Sequence, residues 1–435
     1  MLERIKKILK SQKDITGFKI CETQTQSNEL FFIKKNVDMD RAKRVHNYKV
    51  TVYIDFKEGE KLFTGSSATT IHPTMTDREV EEAIKETAFA ARFVKNPEYP
   101  LVTPDTENRE LAQSTFAGED LPYWLNEITK AVYQNDIYDK GGINSCEIFL
   151  EKTDTRVVNS EGVDVHDTKY KSMVEFITTW KEEGEEIELY RRLEFSDFEA
   201  ELIAEEVKSM ITICRDRAIA ARTPSLNTFP VILTRDAVRE FLGYYASKSN
   251  ALSVYNKSSS WMVGDSIQGS EVKGDLITMT LDPFLKNSCH SGGFDADGYG
   301  LSPVTIIEQG ELKGYAADLR YAHYLKVAAT GAITNMVVKG GSRSAEELQR
   351  EPHLKVGAFS DFSVNYMTGD FCGEIRLAWY YDGVKTIPVT GGSISGNIGE
   401  LHHELYLSRE LQRDNNFEGP SMLKLKKVTI AGVTE

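Results

Sequence analysis

Several short motifs in this sequence carry residue types that do chemistry, and each was tested against the spacing its chemistry needs. His402-His403-Glu404 begins like a zinc helix. Two imidazoles one turn apart can hold a metal while the glutamate activates its water, which requires a second histidine at position 407 or, in the longer spacing, 408. Those positions are Leu407 and Ser408, so a solvated helix start is expected. Cys289-His290 offers a thiol beside an imidazole, but adjacent residues in an extended loop point apart, and a structural role is expected. Asp295-Ala296-Asp297-Gly298 matches part of a calcium loop, yet the place of the bidentate glutamate is Ile306, so a tight turn is expected. Lys339-Gly-Gly-Ser-Arg343 and Gly391-Gly-Ser-Ile-Ser-Gly396 could turn backbone N–H groups toward an anion. Neither has the Gly-Lys-Ser/Thr of a phosphate loop, and the second centres on Ile394 where a nucleophile elbow needs serine. No short motif establishes catalysis.

The elements that would position such residues follow a repeated order. Leu2, Ile5, Ile8 and Leu9 form a helical stripe, and FKICETQTQ, ELFFIKKN and YKVTVYIDF alternate as strands. Thr76 and Asp77 are N-cap candidates for a helix through REVEEAIKETAFAARFV. NPEYPLVTPDTENRE, with its three prolines, has the composition of a linker. The order then returns: a helix from Leu121 to Tyr133, two short strands in EIFLEKTDTRVVNS, a strand in KYKSMVEFITTW, and a long helix in DFEAELIAEEVKSMITICRDRAIAAR. The parallel suggests an internal duplication, although helix–meander–helix is a common order. Beyond Pro224 there is one helical stretch, DAVREFLGYYASKS, followed by strands with turns at Gln309-Gly310 and Asp382-Gly383. The expected fold class is α+β. Two helix–antiparallel sheet–helix units over residues 1–97 and 98–222 precede a mostly antiparallel β domain over 223–435.

Composition narrows the function classes. The 435 residues carry 52 Lys+Arg and 66 Asp+Glu, a net charge of −14, with 40% hydrophobic residues. Such a chain can bury a real core, and its surface should repel polyanions, so nucleic acid is not an expected partner. No apolar run approaches the ~20 residues of a membrane span. The N-terminus lacks the apolar region of a secretory signal, and the five cysteines are far apart with no C-x-x-C. A reducing cytoplasm is the expected compartment.

Longer blocks carry a family resemblance. FDADGYGLSPVTIIEQGELKGYAADLRYAHYL, ATGAITNMVVKGGSRSAEEL, VNYMTGDFCGEIRLAWYYDGVKTIPVTGGSISGNI and GPSMLKLKKVTIAG occur in the order of blocks typical of the TldD/PmbA family. FTGSSATTIHPTMTDREVEEAIKETAFAARFV resembles that family's N-terminal strand and helix, so the resemblance covers nearly the whole chain. It implies a cytoplasmic metallopeptidase system. In its TldD branch an H-E-x-x-x-H helix and a late cysteine bind zinc. The corresponding helix here, Asp236–Ser249, contains Arg239-Glu240 and no histidine, and residues 414–432 contain no cysteine. Zinc needs at least three protein ligands to stay bound while it activates water, and Cys372 lies in another block. The chain therefore resembles the metal-free PmbA/TldE branch. The resemblance implies no metal, no cofactor and no catalytic residue of its own, and zinc only in a TldD-type partner.

Three functional expectations follow. In the first, the chain is a non-catalytic subunit beside an H-E-x-x-x-H-bearing relative, enclosing extended or unfolded peptides or peptide precursors through edge-strand pairing. In the second, it is a hydrolase with unconventional residues, drawn from Cys289, His290, Asp295, Asp297, His323 and Cys372. In the third, it is a self-assembling, homodimeric peptide-binding or regulatory module. Pairing through a shared β face would bury at least ~1,000 Å². Asp295, Asp297, Gly298 and Asn335 are the candidates for shaping cleft-lining loops, with turn and ladder capping as the alternative.

Overall fold

The computed structural model describes residues 1–105, 112–184 and 186–433, and counts of elements refer to these residues. Residues 106–110 of the expected linker and the first residue after them lie outside the described residues.

The N-terminal half is one antiparallel sheet of seven strands in the order β4-β3-β2-β1-β5-β6-β7. They are β1 (Gly17–Ile33), β2 (Asn36–Glu58), β3 (Lys61–Ile71), β4 (Asn96–Pro97), β5 (Gly141–Asn159), β6 (Asp164–Lys181) and β7 (Glu186–Phe195). The two helix–sheet–helix units meet along β1 and β5, paired from Lys19↔Asn159 to Ile33↔Ser145. Helices α1 (Leu2–Ser11) and α2 (Asp77–Ala91) cover one half, and α3 (Leu121–Tyr133) and α4 (Ala200–Ala218) cover the other. Phe18 and Ile20 enter the first core while Leu30 and Phe32 reach the second. All four are even-numbered on one strand, so both helix pairs lie on the same face.

Local chemistry sets these boundaries. Thr76 accepts from the Glu79 N–H while Glu79 accepts from the Thr76 N–H at 2.7 Å, a capping box that fixes the start of α2. Two expectations are corrected. EIFLEKTDTRVVNS is not two strands but part of the single strand β5, and FKICETQTQ and ELFFI are one strand, β1. Their polar middles stay extended because each is paired on both sides, with Thr25 and Thr153 hydroxyls 3.3 Å apart across the ladder. The described start of the expected linker is anchored at two points. Tyr99 lies under the Arg320 guanidinium, and the buried Val102 accepts from Asn159 Nδ2 at 2.6 Å.

The C-terminal half contains two sheets around one core. In one, Asn227–Thr234, Met422–Ala431, Ser393–Asn397, Asp370–Tyr381 and His353–Val364 pair in succession, and the last also pairs with the first, closing a ring. The other has six strands, including Met279–Leu281, Val304–Glu308, Met336–Val338 and Leu411–Asp414. Helix α5 (Asp236–Lys248) contributes Phe241, Leu242 and Tyr245 to the core between them. Short helices that hydrophobic periodicity did not indicate also occur, for example Leu319–Leu325. The α+β architecture expected from the sequence is the one observed.

Candidate functional site

Helix α5 is the element on which the resemblance placed a metal site, and its surroundings define the candidate site. Its first residue, Asp236, opens onto a cleft of about 380 Å³ bordered by Arg191, Arg192, Glu194, Arg239, Asp414 and Asn415. The cleft lies where β7 meets the C-terminal domain. Arg191 is mostly buried and forks across it, donating to Glu206 of α4 at 2.7 Å, to Asp236 at 2.6 Å and to Asp414 at 3.2 Å. Arg235, held at φ 57° just before α5, also pairs with Glu206.

These carboxyl groups titrate apart. Burial raises Asp414, helped by its hydrogen bond to Asp236, to about 6. At Asp236 burial also opposes charge, but Arg191 and the other neighbouring guanidiniums hold it below its ordinary value. With the H-E-x-x-x-H spacing that the resemblance implies set on Arg239-Glu240, the three α5 positions concerned are differently employed. Arg239 is a cation whose nearest carboxylate, Asp236, is 3.9 Å away. Glu240 accepts from Tyr366 Oη at 2.9 Å. Tyr244 packs edge-on against Tyr245 and Trp261. Where zinc would need neutral imidazoles, the helix presents a guanidinium and a phenol, and the two nearest carboxyls are already neutralised by Arg191. The residues present do not fit the ion. Among the described residues no three His, Cys, Asp or Glu side chains are grouped to hold a metal.

His402 is not in a solvated helix start, as expected from the sequence. It lies in a 3₁₀ turn, buried, with Nδ1 3.2 Å from Tyr245 Oη, and burial, with the charge of His403, lowers its pKa to about 4. The glycine loop at Lys339 does meet an anion, but an internal one. Asp275 accepts from the Ser342 N–H at 3.2 Å, from its hydroxyl at 2.9 Å and from the Leu407 N–H at 2.8 Å.

Three of the four loop candidates, Asp295, Asp297 and Gly298, form a turn that meets the N-terminal sheet, whereas Asn335 ties together the loop of residues 282–291. Asp295 is buried and accepts from the Asp297 and Tyr299 N–H groups at 2.9 and 3.0 Å and from Ala332 at 3.1 Å, while burial raises its pKa. Asp297 pairs with Lys19 of β1. Gly298 has φ +82°, and a Cβ there would lie 2.7 Å from a Val163 methyl. Asn335, fully buried, accepts from Ser288 at 2.8 Å and donates to Asp282 O and Ser291 Oγ at 2.9 and 3.0 Å. Of the other candidates, Cys289 is largely buried, its thiol pushed up to about 12 by burial. Cys372 is exposed on the strand Asp370–Tyr381, and His323 sits on the short helix Leu319–Leu325. The structure does not bring these three into one cluster.

Residues 226–432 match the PmbA/TldA metallopeptidase C-terminal domain. The matched residues make up a little under half of the chain. An uncharacterized protein of Methanocaldococcus jannaschii is 23% identical over 438 residues, 93% of this chain and 97% of its own length. A metalloprotease PmbA homolog of Buchnera aphidicola is 23% identical over 209 residues, 46% of each chain. Among solved structures, TldE from Thermococcus kodakarensis superposes with a TM-score of 0.78 at 18% identity, covering 99% of this chain and 100% of that one. A proposed modulator of a DNA gyrase from Thermotoga maritima does so with a TM-score of 0.80 at 14% identity, over 99% and 100% of the two chains. At these identities the superpositions establish a PmbA/TldD-type fold along the whole chain. The Arg191–Asp236–Asp414 arrangement was missed in the sequence because its members come from β7, α5 and a C-terminal hairpin. The adjacent Arg235-Asp236 and Arg239-Glu240 pairs were the available signal.

Proposed function

We propose that this chain is a PmbA/TldE-like, metal-free subunit of a cytoplasmic TldD/TldE-type metallopeptidase that acts on unfolded peptides or peptide precursors. The observation that supports this reading is the chemistry of α5: Arg239, Glu240 and Tyr244, which the resemblance sets opposite the histidines and glutamate of a zinc helix, are each engaged in a hydrogen bond, ion pair or aromatic contact of their own. In this reading a relative bearing H-E-x-x-x-H holds the zinc, which supplies the activated water. The present subunit completes the enclosure and holds extended peptide through backbone pairing. Asp295, Asp297, Gly298 and Asn335 serve it by fixing the 282–299 loops. The net charge of −14 agrees with a peptide rather than a nucleic-acid substrate.

The test is reconstitution. The purified chain alone should retain no stoichiometric zinc after dialysis and should not cleave unfolded protein. Mixed with an H-E-x-x-x-H-bearing relative, it should form a stoichiometric complex with chelator-sensitive peptidase activity. A chelator-sensitive peptidase in the chain alone would refute the proposal.

A further inference from the structure

The first half of β2 is an open sheet edge. Residues 36–47 pair with β1 on one side, whereas β3 pairs with 48–58 only. Among the described residues, no strand lies beside the outward backbone N–H and C=O groups of this segment. Every residue from Ile33 to Val45 is exposed, including Met39 at 42% and Val45 at 46%. An edge of this kind is a template for another strand unless its side chains forbid the pairing.

The side chains here favour one particular partner. The segment is acidic first, at Asp38 and Asp40, and basic afterwards, at Arg41, Lys43 and Arg44. A bulge beside Phe31 and Phe32 twists the tip, so the regular edge begins at Met39. An antiparallel copy related by a two-fold axis through Ala42 places Asp40 opposite Arg44 twice over, and Met39 opposite Val45 twice over. Asp40, Ala42 and Arg44 share one face, and Met39 and Val45 share the other. Asp40 and Arg44 make no ion pair among the described residues. The pair of like sign, Arg41 opposite Lys43, is already compensated, since both bind the fully buried Glu29 of β1. A chain of net charge −14 repels its own copies in general, so contact between copies requires local complementarity of this sort.

We propose that residues 39–45 of β2 are a self-association edge on which a second copy of this chain pairs its own 39–45 antiparallel, joining two seven-stranded sheets. The pairing stands independently of any metallopeptidase partner.

Sedimentation equilibrium of the full chain across the micromolar range tests it, with circular dichroism confirming that each variant is folded. The expected result is a concentration-dependent dimer that weakens with added salt. Asp40→Arg and Arg44→Asp should each weaken it by about tenfold or more, because each sets like charges opposite one another twice. The double variant Asp40→Arg/Arg44→Asp should restore it. A chain that stays monomeric throughout, a dimer that ignores both single variants, or a double variant no better than the singles would overturn the proposal. So would an edge that proves to bind a zinc-bearing relative, with the single variants abolishing that complex while no homodimer forms.

Discussion

Arg191 Nη1 donates to Asp236 Oδ2 at 2.6 Å, joining the last strand of the N-terminal sheet to the first residue of α5. The same guanidinium holds Asp414 and Glu206, so one side chain neutralises carboxylates from three separate elements. Removing Arg191 takes the main cation from Asp414 and Asp236, while Glu206 keeps Arg235 and Asp236 is half exposed, so the cost is at most the about 3–5 kcal/mol of breaking a fully buried pair. Arg191→Met should therefore lower the urea midpoint by up to this amount. Arg191→Lys should rescue little, since a single ammonium cannot fork between carboxylates as a guanidinium does. A midpoint unchanged in Arg191→Met would show that the junction is held by other contacts.

The cluster also gives a pH dependence. Asp414 holds its proton up to about 6 in the folded chain, through burial and its contact with Asp236, and releases it near 4 when unfolded. The folded state binds more protons in that interval, so this group's contribution to stability falls as pH rises from about 4 to 6. His402 works in the opposite sense. Burial depresses it to about 4, the unfolded imidazole binds its proton near 6.5, and stability is lost as pH falls through that window, by an amount on the order of 3 kcal/mol. The contributions of these two groups to wild-type stability therefore oppose one another between pH 4 and 6. Asp414→Asn should rise with pH and His402→Gln should fall with pH over the same interval in urea titrations. Parallel profiles for the two variants would contradict both assignments.

Much of the architecture was legible because it rests on local rules. The stripe Leu2–Ile5–Leu9, the Thr76 cap and the helix Leu121–Tyr133 need only neighbours in sequence, and all three are present. Gln309-Gly310, both at positive φ, turns the predicted hairpin. Long strands were legible in pieces. Residues 151–156 of β5 carry little hydrophobic alternation and remain extended through pairing with β1 and β6, information that lies elsewhere in the chain. The candidate site was less legible still. His402 is exposed by the rules of helix starts and buried in fact, because Tyr245, 157 residues away, packs over its ring. The absence of a zinc helix could be noted from α5 alone, but the ion-pair cluster that stands beside it required three-dimensional adjacency.

Thiol reactivity separates the two cysteines proposed as nucleophiles, Cys372 and Cys289. Cys372 is exposed, whereas burial raises the thiols of Cys146, Cys214 and Cys289, the last two to about 11 and 12. A raised thiol holds little thiolate at neutral pH and reacts slowly. Ellman's reagent should label Cys372 first in the folded chain, and Cys372→Ser should remove that phase. The three raised thiols should react only on unfolding. Rapid labelling of Cys289 in the native chain would revive it as a nucleophile.

Asn335 tests whether the loop candidates act through the fold. Its amide has all of its nearby groups engaged: Ser288 gives a proton to Oδ1, and Nδ2 gives to Asp282 O and Ser291 Oγ. With the side chain fully buried, Asn335→Ala leaves a carbonyl and two hydroxyls without that partner, at a cost of roughly 1–3 kcal/mol. Thermal unfolding should shift down accordingly. Asn335→Asp should fare no better, because a carboxylate cannot donate to Asp282 O. In a reconstituted peptidase, activity measured well below the lowered melting temperature should stay near wild type, since the amide faces the loops that it ties together. A large loss of turnover at unchanged melting temperature would instead place Asn335 in contact with substrate.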